Sequence, residues 1–201
     1  MSRPESSETG EGRDGAAALR AQAQGLVLDR SVALVGLMGA GKTTIGRRLA
    51  AALQLPFVDA DAEIARAAGQ SVEDIFLRHG EVDFRRGERQ VIARLLAGPT
   101  HILATGGECA FIDPTTRALM REKAITIWLK APLEVLVRRV SRRDHRPLMK
   151  EEVVEPALRQ LLAQREPIYA EADLIVESST GPHNAAVAEI IAALRARVSV
   201  Q

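Results

Sequence analysis

The feature that most limits how this chain can fold is the run Gly36-Leu-Met-Gly-Ala-Gly41-Lys42-Thr43, which follows the apolar stretch SVALV and opens a helix-patterned segment at 42–53. It fits the spacing G-x-x-x-x-G-K-[ST] in the strand, loop and helix context that the pattern needs. Glycines let such a loop curl until successive backbone N–H groups and the positive end of the next helix face one anion. Gly39, Ala40, Gly41, Lys42, Thr43 and Thr44 are therefore candidate contacts to ATP, with Lys42 reaching the β- and γ-phosphates and the Thr43 hydroxyl ligating Mg²⁺.

The same alternation continues along the chain. LPFVDAD reads as a second strand, 71–98 as one or two helices interrupted near Gly80, and THILATGG as a strand entering a turn. A capped helix over 113–123, a strand over 124–131, helices over 132–144 and 151–172, a strand over 173–178 and an amphipathic helix over 182–198 complete the pattern. Strands separated by helices of this length need crossovers, which predicts an α/β fold: a five-stranded, mostly parallel sheet with helices on both faces. Residues 29–201 read as one domain. Gly, Ser, Glu and Arg dominate the beginning of 1–28, which predicts a disordered tail, with a short packed helix over 16–24 as the alternative.

Lys and Arg number 27 against 26 Asp and Glu, so no global field draws the chain to nucleic acid or to an anionic membrane. A single cysteine and the lack of an apolar leader point to the cytoplasm.

Asp59-Ala-Asp61 closes the second strand, where an open parallel sheet receives its ligands. On an extended chain the two carboxylates face the same way, one near a metal and the other near an acceptor hydroxyl; helix capping is the alternative. Arg85, after Phe84, and Arg165, before Glu-Pro-Ile-Tyr169, lie in helical stretches, and each alone reads as a cation on a solvated helix face. Gly106-Gly107 permits close backbone approach to a ligand or simply makes a tight turn. Arg138, Arg139, Arg142, Arg143, Arg146 and Lys150 form a cationic cluster. With only 3% aromatic residues a base-stacking platform is disfavoured, and a lid over a transferring phosphoryl group suits the cluster better.

With Lys42, Asp59 and Asp61, Phe-Arg85, Thr-Gly106-Gly107, Arg146-Pro-Leu and Arg165-x-Pro-x-Tyr169 in this order, the sequence resembles the shikimate kinase family over roughly residues 30–180. The resemblance implies a three-layer P-loop kinase fold with a mobile lid near 139–155, ATP and shikimate as substrates, Mg²⁺ as cofactor and a monomeric state. It implies that Asp61 holds the acceptor hydroxyls, that Arg85 and Arg165 clamp the shikimate carboxylate, and that Gly107 offers a backbone contact. It implies that Asp59 assists Mg²⁺ through water, that Arg146 is the lid arginine on the ATP phosphates, and that the segment around Ser178–Pro182 passes the adenine. A gluconate-type or nucleoside kinase, or a nucleotide-binding protein without acceptor chemistry, are the competing readings.

One departure stands out. Where the family pattern has three glycines, Gly106-Gly107 is followed by Glu108-Cys109, one substitution and one extra residue. Turned inward, Glu108 would repel a carboxylate substrate; turned outward, it would leave binding intact.

Overall fold

The computed structural model describes residues 8–106, 110–143, 151–178 and 181–198. β1 (Ser31–Val35) is buried along its whole length and β4 (Ala124–Lys130) along all but its last residue. Such continuous apolar runs are stable only where both faces are covered, so these strands take the centre of the sheet. They pair in parallel from Ser31 opposite Ala124 to Val35 opposite Trp128. β3 (Ile102–Ala104) flanks β1 on the other side, β2 (Phe57–Asp59) lies beyond it, and β5 (Leu174–Glu177) borders β4. The order β2-β3-β1-β4-β5, all parallel, is the expected five-stranded sheet.

Local chemistry sets the helix starts. Ser71 caps α4 (Val72–Leu96) and Asp113 caps α5 (Pro114–Lys123), whose first residue is a proline with no N–H to satisfy. α4 is interrupted at Gly80, with φ 76° and ψ 177°, as the sequence predicts. α2 (Lys42–Leu53), α3 (Ala60–Ala68), α6 (Leu133–Arg143), α7 (Glu151–Tyr169) and α8 (His183–Val198) supply the remaining crossovers and the final cover. The main core joins Val32, Leu34, Ile102 and Ile127 of the sheet to Leu49 of α2 and Val187 and Ile190 of α8. Ile64, Ile75, Phe84 and Val91 form a second, smaller apolar cluster between α3 and α4.

Within 1–28, where a disordered tail is expected with a packed helix over 16–24 as the alternative, the described residues form a helix, α1 (Glu8–Ala23). Its Leu19 and Ala23 enter the main core, and Arg195 of α8 donates to the carbonyls of Gln22 and Gln24 at 2.6 and 2.8 Å. The polar composition of this segment hides the reason. A helix with weak amphipathicity is stabilised by the surface it docks on, here α2 and α8, more than by its own sequence.

Asp173, just before β5, ties the sheet to α8. Its carboxylate accepts from the Thr126 amide at 2.9 Å, the Thr126 hydroxyl at 2.7 Å and Arg197 at 3.0 Å. Burial pushes this carboxyl up, but the bonds from Thr126 and the charge of Arg197 outweigh burial and hold it below the usual carboxylate range. A lowered folded value means that the stabilisation is complete above the unfolded value and is lost as pH falls through the folded one. Asp173→Asn is expected to cost about 1–2 kcal/mol at neutral pH in urea unfolding. The gap to the parent chain should narrow as pH falls below the usual carboxylate range and through the lowered folded value.

Candidate active site

The glycine loop ends at Gly41, whose φ of 96° and ψ of 13° place it in the left-handed region immediately before α2. A β-carbon there would be strained and would press within 3.3 Å of Ile45 Cδ1. The loop can therefore turn sharply enough to aim the start of α2 across the carboxyl ends of β1, β2 and β3. Lys42, only 8% exposed, donates to the carbonyls of Gly36 at 2.7 Å and Leu37 at 3.1 Å. Its ammonium is thus held over the loop. The Thr43 hydroxyl donates to Asp59 Oδ2 at 3.2 Å, and Thr44 follows in the first turn of α2.

The extended Asp59-Ala-Asp61 segment is not what forms. Only Asp59 belongs to β2; Ala60 already begins α3, and Asp59 Oδ1 caps the helix by accepting from the Asp61 amide at 3.2 Å. An aspartate that can satisfy a helical amide ends the strand early. Capping therefore falls to Asp59, whose other oxygen still meets Thr43. Both aspartates line one cavity of about 170 Å³ together with Lys42, Thr43 and Thr105. Gly106 is needed at its edge for steric reasons, because a β-carbon there would collide with Asp61 Oδ1.

Arg85 lies on α4 with its guanidinium over the rings of Phe76 and Phe84, 5.9 and 5.3 Å from their centroids. It pairs with Glu81 at 3.1 Å and with Glu88 at 3.3 Å. Glu88 is 2% exposed; burial pushes its carboxyl up, Arg85 pulls it down, and Asp61 and Asp113 push it up again. Those contributions put Arg85, Glu88 and Asp61 in one neighbourhood. The sequence reading gives Glu88 no role, although the three-residue spacing from Arg85 places both on one helix face and was the available signal.

Arg165 is half-buried near the end of α7. That end is fixed at the carboxyl edge of the sheet by Glu166, 2.6 Å from Lys130 at the close of β4, and by Tyr169, stacked between Trp128 and Phe111. Gly107, Glu108, Cys109 and Arg146 lie outside the described residues. Of the lid span 139–155, residues 139–143 end α6 and 151–155 begin α7, with 144–150 outside the described residues.

Arg139, which the sequence merges into a cationic cluster, has a particular place. It donates to the Gly39 carbonyl at 3.2 Å and to the Ser178 hydroxyl at 3.1 Å, and Ser178 donates to the Ala40 carbonyl at 2.7 Å. These contacts border a second cavity of about 200 Å³, also lined by Gly181, Pro182 and His183, on the other side of the glycine loop. Burial, then Arg139 and Arg48, push the His183 imidazole down and favour its uncharged form.

A phosphate loop at the switch point of a parallel sheet, flanked by two cavities and by an oxygen pair from Thr43 and Asp59, defines a P-loop phosphotransferase. The family model described as "Shikimate kinase" matches residues 38–195. Shikimate kinase of Caulobacter vibrioides is 54% identical over 166 residues, covering 83% of this chain and 82% of that one. Shikimate kinase of Bradyrhizobium diazoefficiens is 54% identical over 169 residues, covering 84% and 81%. The solved structure of Acinetobacter baumannii shikimate kinase in complex with shikimate superimposes with a TM-score of 0.78 at 35% identity, covering 87% of this chain and 98% of that one. The chain belongs to the shikimate kinase family.

Since Gly106 admits Asp61 to the cavity, Gly106→Ala is expected to raise the acceptor KM about tenfold, equivalent to about 1.4 kcal/mol. The ATP KM should change far less in steady-state assays.

Proposed function

We propose that the protein transfers the γ-phosphate of ATP to the 3-hydroxyl of shikimate, giving shikimate 3-phosphate and ADP in chorismate and aromatic amino-acid biosynthesis. The observation that carries this reading is the single cavity in which Lys42 and Thr43, from the phosphate loop, meet Asp61 beside Gly106. Family membership supplies the acceptor. The protein acts as a monomer in the cytoplasm.

The amides from Gly39 to Thr44 and the start of α2 cradle the ATP phosphates, and the purine lies by Arg139 and Pro182 in the second cavity. Lys42 exchanges its loop carbonyls for phosphate oxygens. Thr43 Oγ1 and Asp59 are hard oxygen donors 3.2 Å apart, and among the described residues no three His, Cys, Asp or Glu gather into a metal cage. That fits Mg²⁺, which takes few protein ligands and keeps water and phosphate oxygens, with Thr43 direct and Asp59 through water. When bound, Mg²⁺ supplies positive charge to the β- and γ-phosphate oxygens.

Asp61 accepts the hydrogen bond of the attacking hydroxyl and orients it in line, a matter of positioning more than of proton removal in a loose transition state. Arg85 and Arg165 clamp the carboxylate, since planar guanidinium forks match its two oxygens as an ammonium does not. Gly107 gives a backbone contact and Arg146 closes on the phosphates, where its charge opposes that developing in transfer.

A coupled ADP-release assay tests the activity: ATP turnover dependent on shikimate is expected, and ATP binding without shikimate-dependent turnover would sink the proposal. Preference for gluconate or a nucleoside in an acceptor panel would contradict the carboxylate clamp. Lys42→Ala should lower kcat at least about a hundredfold, about 2.7 kcal/mol of transition-state stabilisation, with the circular dichroism spectrum unchanged. Arg165→Lys should raise the KM for shikimate much more than that for ATP; equal losses on both would remove Arg165 from the clamp.

A further inference from the structure

Arg85 already divides its guanidinium between Glu81 and Glu88, at 3.1 and 3.3 Å. Asp113 is a further carboxylate beside the same stretch of α4, where it meets Arg89, four residues after Arg85, at 3.2 Å. Its Oδ1 caps α5, accepting from the Thr116 amide at 2.8 Å and the Thr116 hydroxyl at 2.9 Å, while its Oδ2 receives Arg89 at 3.2 Å. Burial pushes the Asp113 carboxyl up, but the Thr116 bonds and the Arg89 charge outweigh it and hold it low. Asp113 is therefore ionised at neutral pH, and its charge is compensated by Arg89, the residue next to Glu88.

We infer that Arg89 is a positioning residue for the acceptor: by occupying Asp113 it keeps that carboxylate from drawing Arg85 away from the substrate carboxylate. Arg85 pairs with Glu88 and Arg89 with Asp113 along one stretch of α4, so an Asp113 left without Arg89 is a free carboxylate beside the Arg85 pair. Withdrawing the Arg89 charge adds a competitor for Arg85. The Arg89 side chain is 41% exposed and that of Asp113 21%, so the effect is screened by salt and moderate in size. The inference rests on the reading of Arg85 as part of the carboxylate clamp.

An ion pair that merely tethers α4 to α5 makes a different prediction, which allows a decisive test. If the pair were a tether, Arg89→Gln, Asp113→Asn and the double variant would be impaired alike. If Arg89 neutralises Asp113, Arg89→Gln alone is harmful and Asp113→Asn relieves it. Asn keeps the cap while removing the charge.

The experiment measures KM for shikimate and for ATP in the full-length chain, at low and at high ionic strength, with melting temperatures alongside. Arg89→Gln is expected to raise the shikimate KM about threefold at low salt and less at high salt, with the ATP KM unchanged. Arg89→Lys and the double variant Arg89→Gln/Asp113→Asn should return close to the parent value, and Asp113→Asn alone should match or fall below it. Equal impairment of Asp113→Asn, Arg89→Gln and the double variant, or a fall in melting temperature without a KM change, would overturn the inference. Arg85→Ala separates the two levels. A large rise in shikimate KM there with no effect of Arg89→Gln rejects only the role of Arg89, whereas no rise in shikimate KM rejects the clamp and the inference with it.

Discussion

Everything in this molecule depends on a glycine loop that must point its backbone amides inward between a buried strand and a helix. The requirement fixes β1 at the centre of the sheet, because the loop has to emerge where the strand order reverses. It fixes Gly41 in a left-handed conformation, because α2 has to start within one residue of the turn. Lys42 then braces the loop from inside through two carbonyls, so that the loop keeps its shape with its own charge compensated.

Two kinds of signal were legible in the sequence. The phosphate loop was, because its chemistry is local: the glycines, the lysine and the threonine are adjacent in the chain and act within one turn. The sheet was, because β1 and β4 are continuous apolar runs and the stretches between them have helical periodicity. Features that depend on distant partners were not. Asp59 and Asp61 read as a pair, but the capping that ends β2 at Asp59 decides their geometry, and both outcomes are compatible with the same three letters. Glu88 reads as one more helical glutamate until its burial beside Arg85 is known. The first helix was obscured because its polar residues outnumber the few, such as Leu19 and Ala23, that it buries. Arg139 looked like a member of a cluster, and only the fold turns it toward Gly39 and Ser178.

Charge organisation separates the two halves of the crevice. On one side, Arg139 and a His183 held toward its uncharged form border the second cavity. On the other side, the buried Glu88 feels two further carboxylates, Asp61 and Asp113, and pairs with the Arg85 guanidinium. A small cluster of Ile64, Ile75, Phe84 and Val91 supports this side separately from the main core. Substitutions in that cluster should therefore disturb this side while leaving the sheet intact.

The contact of Arg195 with the carbonyls of Gln22 and Gln24 has a consequence for the order in which the protein matures. The end of the first helix is held by a residue of α8, far along the sequence. During synthesis α1 leaves the ribosome before α8 and cannot complete its docking until α8 has followed. A segment made before α8 thus settles only after it.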